Sequence, residues 1–114
     1  MLINKTNNKK IVSKIKFCKS ILSKSKGLMF SKKILDEGLV FIFKGNVKIG
    51  LHMFFVFFPI DVLFLDKDKK VVEIKQNFNP WTTYHPKIKS KYIIELPNNA
   101  IKKSKTKIGD VIEF

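Results

Sequence analysis

The stretch from Gly50 to Asp66 (GLHMFFVFFPIDVLFLD) constrains this chain most, because it concentrates apolar side chains around two internal ionisable ones, His52 and Asp61. A segment of that kind supplies a core. It also marks where a polar site could lie, since a buried carboxylate or imidazole must find a hydrogen-bonding partner or water. Its longest apolar run, Leu51 to Leu65, is shorter than the ~20 residues of a membrane-crossing helix. His52, Pro59 and Asp61 also interrupt it, so no transmembrane segment is expected.

The chain has 114 residues, which suits one domain that removes roughly two thirds of its unfolded surface from water. Its 45 % hydrophobic content argues for a folded protein rather than a disordered one. A single cysteine, Cys18, excludes an intramolecular disulfide and any zinc motif built on paired cysteines. Together with an amino end that scatters its apolar residues among lysines, this points to a reducing, cytoplasmic setting without a cleaved secretory signal.

The net charge is +14, and all 23 basic residues are lysines. Lysine offers phosphate a hydrated point charge, whereas arginine offers the planar fork that reads guanine. Weak, sequence-blind attraction to polyanions is therefore expected, and base-specific reading is not. Residues 1–33 hold ten lysines and no acid, so the amino-terminal third should meet an anion first. The candidate anion contacts there are Lys9, Lys10, Lys14, Lys24 and Lys26.

Residues 1–10 read as a flexible basic arm, and residues 11–114 as a single β-rich domain. Residues 11–18 alternate like a strand. Ser20, the short run 21–26 and Gly27 then match an amino-cap serine, two helical turns and a glycine exit, which predicts one short helix near residues 20–26. Strand-like runs at 38–43 and 47–56 flank Lys44-Gly45-Asn46, which has hairpin-turn composition. Runs at 60–65 and 71–75 flank the charged turn 66–70, a second hairpin. Residues 77–91 read as a long loop carrying Trp81, followed by strands at 92–96 and 111–114. The expected fold is mainly β, a sandwich or partly closed barrel, with a core of Phe41, Phe43, Met53, Phe55, Phe57, Val62, Phe64, Val72, Ile94, Leu96 and Val111.

The order of several phrases resembles the domain of unknown function 192 family, also called uncharacterised protein family 0127. The phrases are Ser20 through Gly27-Leu28-Met29-Phe30, Gly38 to Phe43, Met53, Pro59 to Asp66, Val71-Val72, Pro80-Trp81, Ile94 to Pro97 and Ile108-Gly109-Asp110. The resemblance covers about nine tenths of the chain. It implies a sandwich-like β domain found in bacteria and archaea, without an established activity. Members often carry tryptophan directly before the methionine matching Met53 and asparagine two places after it. Here those positions are His52 and Phe55, in the archaeal style.

Asp61 is the sharpest single candidate, as a carboxylate set between Ile60 and Val62. It either accepts backbone amides and fixes the strand break, or meets His52 or Lys48 across the sheet to form a ligand site. His52 and His85 with Asp61, Asp66 or Glu95 have the composition of a two-histidine, one-carboxylate metal centre, but their spacing provides no close ligand pair. Trp81 and Tyr84, with His85, lie in the loop as an exposed-looking aromatic group and candidate binding patch, against the alternative of a tryptophan lid on the core. There is no nucleophile elbow, glycine-rich phosphate loop or paired-histidine zinc motif, so no catalytic residue, metal or cofactor is assigned. The resulting expectation is a non-catalytic module that binds a small ligand or protein through Asp61, His52, Trp81 and His85. The alternative is a basic domain resting on nucleic acid or an anionic membrane surface.

Overall fold

Every residue from Ile60 to Leu65 is buried, Asp61 included, so this strand has cover on both faces. That requirement organises the molecule. The computed structural model describes residues 1–18, 36–53 and 57–114. In chain order its strands are β1 (Leu2–Asn4), β2 (Lys9–Val12), β3 (Lys14–Cys18), β4 (Glu37–Val47), β5 (Leu51–His52), β6 (Ile60–Leu65), β7 (Val71–Phe78), β8 (Thr83–Tyr84) and β9 (Ser90–Pro97). A short helix, α1 (Ala100–Ser104), and β10 (Ile112–Glu113) follow.

The main sheet has the order β3-β4-β9-β6-β7, with β3 and β4 parallel and the other pairs antiparallel. Alternation sends Val40, Leu63, Leu65, Ile94 and Leu96 to one face, where they meet Leu2, Val12, Ile101 and Ile112. The second sheet, β10-β1-β2, and α1 cover that face. The opposite face presents Leu39, Phe41, Ile60, Val62, Phe64 and Ile93, and is covered by Leu51, Met53, Phe58 and Phe78 around the ribbon β5-β8. The sheets stay open rather than closing into a barrel, and the fold is mainly β, as read from the sequence.

Four readings need correction. The first concerns residues 1–10, which are not a loose arm. Leu2 and Asn4 are completely buried, and β1 pairs with both β2 and β10. Asn4 Nδ2 donates to Asp110 Oδ2 at 2.8 Å and to Thr106 Oγ1 at 3.1 Å, while its Oδ1 accepts from the amides of Thr6 and Asn7. Burying Leu2 stabilises by about 2 kcal/mol and adds to the strand pairing on both sides that holds β1 at the centre of its sheet.

The second is the single strand over 11–18. It is two strands in different sheets, broken at Ser13, whose amide donates to Asp36 Oδ1 at 3.0 Å. Gly38 sits where the two sheets approach: a Cβ there would stand 3.2 Å from Val12 Cγ2 and 3.3 Å from Leu96 Cδ2.

The third is the hairpin at 44–46. β4 runs on to Val47, and residues 43–46 stand opposite the single residue Lys91 of β9. The Lys91 ammonium donates to the Phe43 carbonyl at 2.7 Å and lies 3.5 Å from the Lys44 carbonyl. A side chain thus stands in for ladder bonds, and the strand bulges instead of turning. The fourth is Phe57, expected in the core but 61 % exposed.

The other expectations divide by location. The β6–β7 hairpin forms as read, with Asp66 Oδ1 accepting from the amides of Asp68 and Lys70 and Lys69 at φ 62°. Phe41, Met53, Val62, Phe64, Ile94 and Leu96 are core, while Phe43, Val72 and Val111 are half-buried. The helix near 20–26 and Phe55 lie outside the described residues. The described helix is α1, which the sequence reading left out.

Candidate binding face

Asp61 is a cap, not a ligand group in a pocket. Its Oδ1 accepts the Asn77 amide at 2.9 Å and its Oδ2 accepts the Ile101 amide at 3.1 Å. The first bond pins β7 where Asn77 turns at φ 53°. The second satisfies an orphan amide of α1, whose own cap residue Asn99 makes no side-chain capping bond. Asp61 pairs with Leu96 in the sheet and points toward α1. His52, on the ribbon, lies across the sheet from it.

His52, Trp81 and His85 remain on one side. β5 pairs with β8, with Leu51 opposite Tyr84 and His52 opposite Thr83. Beyond the ribbon, the Met53 amide donates to the Thr82 carbonyl at 2.8 Å and the Trp81 amide to the Met53 carbonyl at 2.7 Å. Thr82 Oγ1 bonds the Asn79 carbonyl at 2.6 Å. These bonds hold Trp81 at φ 64°, a left-handed conformation uncommon for a bulky residue. Its indole is 50 % exposed and meets the Phe57 ring edge-on, with centroids 6.1 Å apart. Trp81 is therefore not a lid sealed over the core.

At the ribbon's other end the His85 ring rests on Gly50, where a Cβ would stand 2.9 Å from Nδ1. His52 and His85 are both exposed. Asp66 belongs to the β6–β7 turn, and Glu95 is buried at the centre of the main sheet between Leu39 and Val62. Among the described residues no three histidine, cysteine or acidic side chains come together as a metal-binding group.

Under the ribbon lies an anchor built on Tyr84, which the sequence reading grouped with the exposed loop aromatics but which is half-buried against the core. Tyr84 donates its hydroxyl to Glu73 Oε2, and the amides of Lys87 and Ile88 each donate to Glu73 Oε1 at 2.9 Å. Burial, and then the Glu73 carboxylate, push the Tyr84 phenol up to about 12. The Tyr84 hydroxyl and the amides of Lys87 and Ile88, all donating to the Glu73 carboxylate, fix the 84–88 segment to β7. The available signal was Glu73 within an alternating strand, which is weak because exposed strand positions carry glutamate just as often.

Of the candidate anion contacts, Lys9 and Lys10 are exposed on β2 and Lys14 on β3, while Lys24 and Lys26 lie outside the described residues. Lys10 donates to Ser13 Oγ at 2.9 Å. Hydrogen bonds from Ser13, and then the charges of Lys10 and Lys14, hold the Asp36 carboxyl below the usual carboxylate range.

Fold and face together define a mainly β, sandwich-like domain with an aromatic-bearing ribbon laid over one side. The chain belongs to the DUF192 family (Uncharacterized ACR), whose profile matches residues 2–114. It is 38 % identical to a UPF0127 protein of Thermococcus sibiricus, over 100 % of this chain and 74 % of that one. It is 34 % identical to a UPF0127 protein of Pyrococcus horikoshii, over 100 % of this chain and 98 % of that one. In fold it is similar to a crystal structure of a protein of unknown function from Novosphingobium aromaticivorans, with TM-score 0.79 and 22 % identity over 88 % of this chain and 74 % of that one. A crystal structure from Sinorhizobium meliloti matches equally well, with TM-score 0.79 and 22 % identity over 87 % and 79 %. Among the described residues no helix is long and apolar enough to cross a membrane.

Proposed function

We propose that this domain is a non-catalytic binding module whose binding face is the Phe57–Trp81 pair, flanked by His52 and His85. The observation that carries the reading is Trp81 itself. A bulky side chain at positive φ costs of order 1–3 kcal/mol, and exposing large rings forgoes their burial, so the loop holds this indole in water at a cost in stability. Exposed aromatics on a rigid support are the usual anchors of a binding surface. Asp61 has no part in the face, because its carboxylate caps α1 on the other side of the sheet.

The alternative, a basic surface in the amino-terminal third, draws less support: Asp36 sits among Lys10, Lys14 and Ser13, and residues 2–4 are core. The test of the proposed face uses Trp81→Gly and Phe57→Ser in chemical denaturation. Glycine tolerates the left-handed angle, so both variants should stay within about 1 kcal/mol of the parent, against ~3–5 kcal/mol for a buried tryptophan or phenylalanine. Losses in that larger range would make the pair a structural lid and end the reading.

A further inference from the structure

The two chain segments that build the ribbon and its flanks, residues 38–60 and 74–94, contain no aspartate or glutamate at all, but six lysines and both histidines. In a chain with nine acids these two segments carry positive charge only, while the Glu73 carboxylate beneath the ribbon is buried and taken up by Tyr84 and the amides of Lys87 and Ile88. We infer that the Phe57–Trp81 face binds single-stranded nucleic acid, with bases stacked on the two rings and the phosphate backbone running along the ribbon to the lysines beyond Gly50. The inference rests on the binding-face reading and names its ligand class.

The geometry supplies both elements that such binding needs. Rings half or more in solvent give a stacking platform that any base can use. The Glu73 anchor fixes the backbone of Lys87, and the pairing of Val47 with Ser90 brings Lys48 and Lys89 to that same end. All three lysines are exposed. From Gly50 to Met53 the ribbon rises about 10 Å, the span of roughly two or three nucleotides, so one strand can touch lysine and ring at once. Between them lie His52 and Thr83, paired across the ribbon and exposed.

Two alternatives fit less well. A duplex keeps its base faces stacked on one another, out of reach of the rings. A bilayer would desolvate His52, Thr82 and Thr83 alongside the aromatics, which is unfavourable. An acidic protein partner would also match the charge and is the competing outcome that the polyglutamate arm of the test reads. Because the lysines are point charges and arginine is absent, the binding is blind to sequence.

Trp81 is the single tryptophan, so its fluorescence in the full chain reports on the face directly. Titration with a twelve-residue oligothymidylate should quench that emission, and a duplex of equal length should bind more weakly. Trp81→Gly should weaken binding of a labelled oligomer about tenfold, the effect of losing one stacked base. Lys87→Gln with Lys89→Gln should lower the slope of log affinity against log salt by about 1.4. Lys102→Gln with Lys103→Gln, on the far side of the sheet, should change affinity less than the Lys87/Lys89 pair does.

Unchanged affinity in the Trp81 variant, or equal binding of the duplex, would overturn the inference. So would quenching by anionic phosphatidylserine vesicles or polyglutamate with none by the oligomer. Any of these results alongside a stable Trp81→Gly protein removes the nucleic acid and leaves the binding face. A variant that melts early removes the face itself.

Discussion

Replacing Asp61 by asparagine tests the central structural inference, that one buried carboxylate ties β6 to both β7 and α1. Asp61 is 1 % exposed and accepts two backbone amides, at 2.9 and 3.1 Å. Hydrogen bonds to a charged acceptor contribute ~1.5–3 kcal/mol each. Asparagine retains one carbonyl oxygen and turns its NH2 toward the second amide, donor against donor. The loss is therefore one charge-assisted bond, part of the strength of the other and one desolvated N–H, about 2–4 kcal/mol in all.

Against the ~5–15 kcal/mol that holds a typical domain together, that is a large share. The assay is urea unfolding of both proteins. The midpoint should fall while the slope stays the same, because the surface exposed on unfolding does not change. Hydrogen exchange adds a second reading. The Ile101 amide is the more deeply buried of the two and should keep the carbonyl, so the Asn77 amide should lose protection first. A cost under ~0.5 kcal/mol with both amides still protected would refute the capping role and return Asp61 to the ligand candidates.

Two other substitutions probe the remaining corrections. Asn4→Ala strips acceptors from the amides of Thr6 and Asn7 and donors from Asp110 and Thr106, so it should cost about 2–4 kcal/mol in the same urea assay; a near-neutral result would mean that the amino-terminal strand is not integral to the fold. The Tyr84 phenol should titrate near 12, seen as the part of the 295 nm phenolate absorbance that disappears in Tyr84→Phe. Its folded value lies above the ordinary 10.0, so the folded state holds that proton more tightly. The contribution to stability is complete below pH ~10 and fades as pH rises toward 12. A midpoint near 10 would mean that the Glu73 bond is not made.

Composition located the strands better than their connections, for a physical reason that particular residues make clear. The hairpin at 66–70 was legible because Asp66 bonds amides two and four residues ahead, a local interaction that needs no partner strand. Lys44-Gly45-Asn46 has equally good turn composition and forms no turn, because β9 continues past it and Lys91 reaches its carbonyls from a distant part of the chain. Helix α1 was invisible in sequence for the same kind of reason. It is five residues long, follows a left-handed Asn99, and takes its cap from a carboxylate forty positions upstream. The candidate site was half legible: His52, Trp81 and His85 do share one side, whereas Asp61 does not.

What the amino-acid order determined by itself is the class of fold and the fate of its most apolar strand. A run that is apolar apart from Asp61 supplies core, and the family resemblance carried by ordered short phrases implies the same β domain. Which side each polar residue serves was decided only in three dimensions. One step along a strand moves a side chain through the sheet, so Asp61 and Glu95 go to opposite faces according to register rather than composition. The outward position of Phe57 was decided in the same way. Its neighbours in sequence look like core, but its ring meets Trp81 edge-on and the residue is 61 % exposed.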